Sequence, residues 1–239
     1  MLWATSDLHG YDLSAFQRFL KSSGFQTGDH LYIIGDVIDR NGDGGVEMLE
    51  WILNTDWVTL IMGNHEAMML ECSFLFARPM SMEELGELDP EQEAQLMRWF
   101  QNGSAVTIDS LMNMRLNRPR MFERIQDMVR EAPLYMEVET EERKLFLVHG
   151  GLDRFSPDRA PDSYSLRELV WTRPEVTDRY WEDRLVILGH TPTRYYGEHG
   201  QMFRTDTWLD IDTGAAGGGH PMLLRLDDLK PFYVDNKDL

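Results

Sequence analysis

Four of the seven histidines sit in short clusters with aspartate, asparagine or glycine, and these clusters are where chemistry could be done. They read Asp7-Leu8-His9-Gly10, Gly63-Asn64-His65-Glu66, His149-Gly150-Gly151 and Gly189-His190-Thr191. A fifth cluster, Gly35-Asp36-Val37-Ile38-Asp39-Arg40, adds two carboxylates and a guanidinium. Imidazole nitrogen and carboxylate oxygen together suit first-row divalent metals such as zinc, manganese and iron. A single Asp-x-His is common by chance, and a histidine after an apolar run is as readily a hydrogen-bonded structural residue as a ligand. Five such clusters in one chain, each directly after an apolar run, point instead to one convergent site. His30, His199 and His220 have no such setting.

The apolar runs are the elements that must position these groups. Met1–Ser6, Leu31–Ile34 and Val58–Met62 read as strands separated by helical patterns over Leu13–Leu20 and Gly44–Leu53, a βαβ arrangement, with a third helix over Glu66–Leu75. In parallel α/β sheets ligands gather at the carboxyl ends of strands, where the clusters fall. From about 76 to 132 the pattern is helical: Asp89-Pro90 is an N-cap and first-turn pair, Gln92–Phe100 continues, Asn102-Gly103 stops it, and a further helix spans Met121–Val129. Leu134–Val138 and Leu145–Val148 form a hairpin, and Leu185–Leu188, Leu209–Ile211 and Met222–Leu226 are further strands. Gly214–Gly219 lacks the Gly-Lys-Ser/Thr ending of a phosphate loop and reads as a turn. The expectation is a single domain over 1–239 with a helical insertion or cap at about 76–132.

Composition excludes several classes. The 239 residues carry Lys+Arg 23 against Asp+Glu 41, a formal charge of −18, which repels a polyphosphate backbone, so no nucleic-acid partner is expected. Cys72 is the only cysteine, which rules out an intrachain disulfide. The N-terminal residues have no signal-peptide pattern, and no segment approaches the ~18 apolar residues of a membrane span. A cytoplasmic protein without a membrane partner is therefore expected; oligomeric state is not legible.

In chain order, with Gly35–Arg40 second, the five motifs resemble the signature of the calcineurin-like metallophosphoesterases, and within them the bacterial and phage form of the serine/threonine phosphoprotein phosphatases. The resemblance runs from Asp7 to about Leu226. It implies an α/β fold, a four-layer α/β/β/α sandwich of two mixed sheets, with two divalent metal ions at the strand ends. Asp7 and His9 would hold the first ion, Asp36 would bridge both, and Asn64, His149 and His190 would hold the second. Manganese is the expected ion, with iron or zinc as alternatives. A carboxylate has one oxygen for each ion, and ions ~3.5–4 Å apart lower the pKa of a shared water and stabilise phosphoryl charge, so in-line hydrolysis needs no covalent intermediate. The resemblance further implies that His65 protonates the departing alkoxide, that Asp39 holds the imidazolium, and that Arg40 and Asn64 bind the phosphoryl oxygens. Arg173, in Leu169-Val170-Trp171-Thr172-Arg173, looks like a second phosphate-binding arginine; the alternative is a solvated loop residue. The implied partner is a phosphorylated protein or peptide.

The sequence departs from that pattern in places. Met62 stands where many relatives of this kind carry another phosphate-contacting arginine, and Asn41 replaces the usual glycine after Arg40. The stretch Asp39-x-Asn41-x-Asp43-Gly44 with Glu50 also satisfies an EF-hand calcium pattern, but such a loop needs a preceding helix where Leu31–Ile34 reads as a strand. Of 15 methionines, 11 fall between Met62 and Met136, and Met97 with Phe100 is expected to be a core stripe. The Trp99–Gly103 segment also resembles a stretch found in bacterial members and suggests a cap over the site. Two other functions are weighed: a symmetrical dinucleoside-tetraphosphate hydrolase with the same metal centre, whose members usually lack the Asp-Arg pair, and a non-catalytic binding module, which the full ligand set disfavours.

Overall fold

The computed structural model describes residues 1–78, 83 and 86–235. Two five-stranded sheets form its centre. In the first, β1 (Leu2–Thr5), β2 (His30–Ile34) and β3 (Val58–Ile61) are parallel neighbours. β9 (Met222–Arg225) adds antiparallel to β1, and β10 (Lys230–Tyr233) to β9. In the second, β5 (Lys144–Val148), β6 (Arg184–Leu188) and β8 (Trp208–Asp210) are parallel, edged by antiparallel β4 (Tyr135–Glu139) and β7 (Phe203–Arg204).

Side-chain alternation stacks the sheets. Ala4, Ile34 and Ile61 of the first sheet meet Leu145, Leu147, Ile187 and Leu209 of the second in one buried layer. The intervening Phe146, Val148, Val186 and Leu188 face the other way, onto Leu169, Val170, Tyr180 and Trp181. A one-residue slip in β5 would exchange these two sets, so burial on both faces holds the register. The first sheet's outer face, Trp3, Leu31, Ile33 and Leu60, packs under α1 (Leu13–Ser22) and α2 (Val46–Leu53). α1 starts where Asp12 accepts from the Ala15 amide at 2.7 Å, and its stripe of Ala15, Phe16, Phe19 and Leu20 is buried. The same core takes in Trp99 of α4 (Pro90–Gln101), Leu111 and Met114 of α5 (Ala105–Asn117), and Phe122, Ile125 and Val129 of α6 (Pro119–Glu131). The four layers are thus unequal: on the second sheet the outer layer holds, among the described residues, the short helix α7 (Leu166–Val170) with single 3-10 turns and extended chain.

Several boundaries differ from the sequence expectation. The helix expected from Glu66 is α3 (Asn64–Glu71); it begins two residues earlier, because the Glu66 carboxylate reaches back to the Gly63 amide at 3.1 Å and caps the turn. A 3-10 turn over Ser73–Phe76 follows it. α5 was not expected as a separate helix; its buried stripe is Thr107, Leu111 and Met114, and a polar first member hides the period. β10 was missed because Pro231 argues against a strand, and its edge position makes the proline tolerable. The expected core stripe on α4 is corrected: Met97 is 51% and Phe100 46% exposed, while Trp99 is fully buried. Met80 and Met82, from the methionine-rich stretch, lie outside the described residues. No helix among the described residues is long and apolar enough to cross a membrane.

Candidate active site

All six parallel strands deliver polar residues from their carboxyl ends: Asp7 after β1, Asp36 after β2, Asn64 after β3, His149 after β5, His190 after β6 and Asp212 after β8. The strand ladder continues into the loops, locking the first two clusters together. The Asp7, His9 and Gly10 amides donate to the Gly35, Asp36 and Val37 carbonyls at 3.1, 2.9 and 2.9 Å. Glycine is required where these loops close on one another: a Cβ on Gly63 would lie 2.3 Å from Asp36 Oδ1, and one on Gly189 2.2 Å from Asp7 Oδ2. Backbone strain gathers here too. Among the described residues eight non-glycine positions have left-handed φ, and six of them are Asp7, His9, Asp36, Asp39, Arg40 and His190. Each costs ~1–3 kcal/mol and persists only because its surroundings over-determine it.

One buried carboxylate organises the loop after β2. Glu66 accepts from the amides of Asp36 and Val37, both at 2.8 Å, of Gly63 at 3.1 Å and of Ile38 at 3.4 Å. Glu66→Ala strands these donors in a fully buried position and is expected to lower unfolding free energy by at least ~3 kcal/mol in urea titration. A loss below ~1 kcal/mol would mean that the amides find other acceptors.

The imidazoles are aimed by their far nitrogens. His9 Nδ1 donates to the Ile38 carbonyl at 2.9 Å and His149 Nδ1 to the Ile34 carbonyl at 2.8 Å, so both Nε2 atoms face the centre. His9 Nε2 lies 3.6 Å from Asp36 Oδ2 and 3.8 Å from Asp7 Oδ1. His149 Nε2 lies 3.0 Å from Asn64 Oδ1 and 3.2 Å from Asp36 Oδ1. His190 Nε2 is buried without a hydrogen-bond partner, while its backbone amide donates to Asp7 Oδ2 at 3.0 Å. Lone pairs of nitrogen and oxygen therefore converge on Asp36 from both sides, an arrangement that fits two divalent cations. Donor atoms of His9, Asp36 and His65, and of Asp36, His149 and His190, lie within 4.8 Å of one another.

Electrostatics separates the histidines by role. Burial pushes His9 down to about 3 and His190 well below its ordinary value, so both stay neutral and able to ligate. Burial also opposes charge on His149 and His65, but it is outweighed in both by the groups facing them together, Asp36 first among them. His149 is held up at about 10, a proton standing in for a cation. His65 is also raised, because its Nδ1 donates to Asp39 Oδ2 at 2.6 Å besides facing Asp36. That bond distinguishes His65 from the ligand-like imidazoles, although its Nε2 is only 3.7 Å from Asp36 Oδ2. Asp7 is pushed well up by burial and by Asp212 and Asp36 beside it, a repulsion that a cation would relieve.

Above this floor the cavity, ≈ 160 Å³, has room for a phosphoryl group with a few waters and is rimmed by Arg40, Arg173 and Arg194. Among the described residues none of the three forms an ion pair with a carboxylate. Arg40 NH2 lies 3.5 Å from His65 Nε2. The structure thus brings Asp7, His9, Asp36, Arg40, Asn64, His65, Arg173 and His190 to one cavity, with His149 and Asp39 directly behind it. Sequence reasoning missed Asp212, Arg194 and Tyr195 at the same cavity. Asp212 carried a usable signal, an apolar run ending in Asp212-Thr213-Gly214, but no histidine to mark it.

The departures in the loop after Arg40 have a structural account. Asn41 Nδ2 donates to the His9 carbonyl at 3.0 Å and the Ala215 carbonyl at 3.4 Å, tying the first motif to the glycine-rich turn. The calcium pattern is not assembled. Asp43 accepts from the Gly45 and Glu47 amides at 2.9 and 2.7 Å, Glu50 pairs with Arg118 at 2.8 Å, and Asp39 is committed to His65.

A family model described as calcineurin-like phosphoesterase matches residues 1–216. Serine/threonine-protein phosphatase 1 of Salmonella typhimurium (strain LT2) is 24% identical over 235 residues, covering 94% of this chain and 91% of its own. The symmetrical bis(5'-nucleosyl)-tetraphosphatase of Acidovorax sp. (strain JS42) is 29% identical over 103 residues, 42% of this chain and 36% of its own. Among solved structures, a provisionally assigned diadenosine tetraphosphatase superposes with a TM-score of 0.63 at 14% identity, covering 98% of this chain and 92% of that one.

Proposed function

This chain belongs to the calcineurin-like phosphoesterase family and is a hydrolase, and from that premise we propose that it is a metal-dependent phosphomonoesterase acting on phosphoserine or phosphothreonine in proteins. The observation that carries the reading is the buried Asp39–His65 pair at 2.6 Å, with Arg40 against the free face of His65 at 3.5 Å. A serine or threonine alkoxide is a poor leaving group and needs a proton as the P–O bond breaks. A nucleoside diphosphate leaves through a phosphate oxygen, whose conjugate acid has a pKa near ~6, and gains little from an acid at neutral pH. A built and buried acid dyad therefore favours the phosphomonoester.

Asp7, His9 and Asp36 would hold one divalent cation, and Asp36, Asn64, His149 and His190 the other, manganese being our expectation for this oxygen and nitrogen donor set. Such ions supply Lewis acidity and a water of lowered pKa. Arg40, Arg173 and Arg194, with Asn64 below them, would orient the phosphoryl oxygens. His65 delivers the proton on Nε2 to the departing oxygen, and Asp39 holds the Nδ1 proton throughout. The second reading, symmetrical hydrolysis of a dinucleoside tetraphosphate, is favoured by Met62 in place of an arginine and by the relative matched over 103 residues.

The test compares a phosphothreonine peptide with diadenosine tetraphosphate, using chelator-stripped protein before and after Mn²⁺ is supplied. We expect metal-dependent hydrolysis with higher kcat/KM for the peptide. A higher value for the dinucleotide would transfer the function to the second reading.

A further inference from the structure

We propose that Trp99 and Thr107, which follow the last recognised motif of the first sheet by more than thirty residues, are positioning residues for the proton donor: they hold Asp39 and, through it, His65. The proposal rests on the reading of His65 as the general acid. Asp39 is fully buried and sits in a left-handed backbone conformation at φ 76°. Every oxygen of its carboxylate is engaged. Oδ2 accepts from His65 Nδ1 at 2.6 Å and from Trp99 Nε1 at 2.8 Å, and Oδ1 accepts from Thr107 Oγ1 at 2.6 Å. Thr107 Oγ1 in turn accepts from the Asp39 amide at 3.0 Å; its hydrogen is better placed for Asp39 Oδ1 than for the Gly44 carbonyl at 3.2 Å.

These donors come from α4 and α5, 60 and 68 residues from Asp39 in sequence. Both side chains are fully buried, and Trp99 packs edge-on against Phe76 at 6.4 Å. The Arg40 amide donates to the Gly103 carbonyl of the same segment at 3.0 Å, so the two strained residues Asp39 and Arg40 are clamped together. Two neutral donors satisfy a carboxylate that could not otherwise be buried cheaply, and they leave His65 one direction in which to point Nε2. In the step served, a water-derived oxygen bonds to phosphorus as the bond from phosphorus to the leaving oxygen breaks. The electron pair of the broken bond stays on the leaving oxygen, and the His65 Nε2 proton joins it. His65 is reprotonated from solvent, to which the attacking water has given up its proton. The insertion is on this account the buttress of the acid rather than only a cover.

The experiment uses the whole 239-residue chain, loaded with Mn²⁺, and two aryl phosphates, so it does not depend on the physiological substrate. p-Nitrophenyl phosphate has a good leaving group; phenyl phosphate releases a phenol of pKa near ~10 and needs the acid more. Trp99→Phe and Thr107→Val keep most of the packing and remove one donor each. We expect each to lower kcat on phenyl phosphate by on the order of tenfold, to lower it on p-nitrophenyl phosphate by less than about threefold, and to leave KM unchanged. Thr107→Ser should restore the parental rates. In a His65→Asn background the Trp99→Phe change should add no further loss. In metal-free protein, Trp99→Phe should shift or broaden the low-field Nδ1 proton resonance of His65. Equal losses on both substrates, no loss in either variant, or full additivity with His65→Asn would overturn the proposal. Failure on phosphopeptides with retained aryl phosphatase activity would instead overturn only the substrate reading.

Discussion

His65→Asn lowers kcat on a phosphothreonine peptide by ~10²–10⁴-fold while leaving KM and metal content at parental values. Asparagine fits the volume next to Asn64 but has no proton to give, and Asp39, 2.6 Å from the imidazole, loses its charged partner. The loss should shrink on p-nitrophenyl phosphate, whose leaving group departs unaided. The sign of the pH dependence follows from the same geometry. In the metal-free pocket burial opposes protonation of His65, but Asp36 and the bond to Asp39 override it and raise its pKa above the ordinary value. Cations on Asp36 would leave the 2.6 Å bond to Asp39 to hold the proton; the protonated form is the active one, so kcat falls as pH climbs through the pKa of His65. In His65→Asn that basic limb disappears and the residual rate is flat there. A mutant that kept the parental limb, or lost the same factor on both substrates, would show that another group is the acid.

Asp36→Asn removes the carboxylate on which both halves of the centre converge, and it should lower bound metal to at most about one ion per chain with a rate loss of ~10³-fold or more. Oδ1 is 3.2 Å from His149 Nε2 and also accepts the His65 amide at 3.0 Å, while Oδ2 is 3.6 Å from His9 Nε2. An amide has one lone-pair oxygen and no charge, so it can serve one side only. His149, held at about 10 chiefly by Asp36 against the effect of burial, should titrate at markedly lower pH in the variant. Metal analysis, calorimetry with Mn²⁺ and an NMR titration of His149 read these three consequences separately. Two retained ions with unchanged hydrolysis would refute the assignment of Asp36 as the bridge.

Much of the site was legible because each member carries a local mark. Asp7, His9, Asp36, Asn64, His65, His149 and His190 all follow an apolar run within a few residues, and a strand that must bury itself necessarily ends at the edge of its sheet. Asp212 follows the same rule after β8 but lacks the histidine that made the others conspicuous. Met97 and Phe100 misled because helical spacing says which residues share a face, not whether that face meets the core. α4 turns Trp99 inward and leaves those two outside.

By itself the sequence determined the alternation of strands and helices and the clusters of metal-binding residue types at strand ends, since burial periodicity and side-chain chemistry are properties of short segments; the two-sheet class and the ligand set came from the resemblance of those clusters to a known family. Only the tertiary structure decided what surrounds Asp39, the carboxylate hydrogen-bonded to His65. Nothing near His65 in sequence says that its partner carboxylate will receive an indole N–H and a hydroxyl from helices 60 and 68 residues beyond Asp39. Nor does anything near Arg173 say that Arg194 will share its rim. Those contacts exist because packing α4 and α5 onto the first sheet buries Asp39, and a buried charge must be met by donors from whatever part of the chain reaches it.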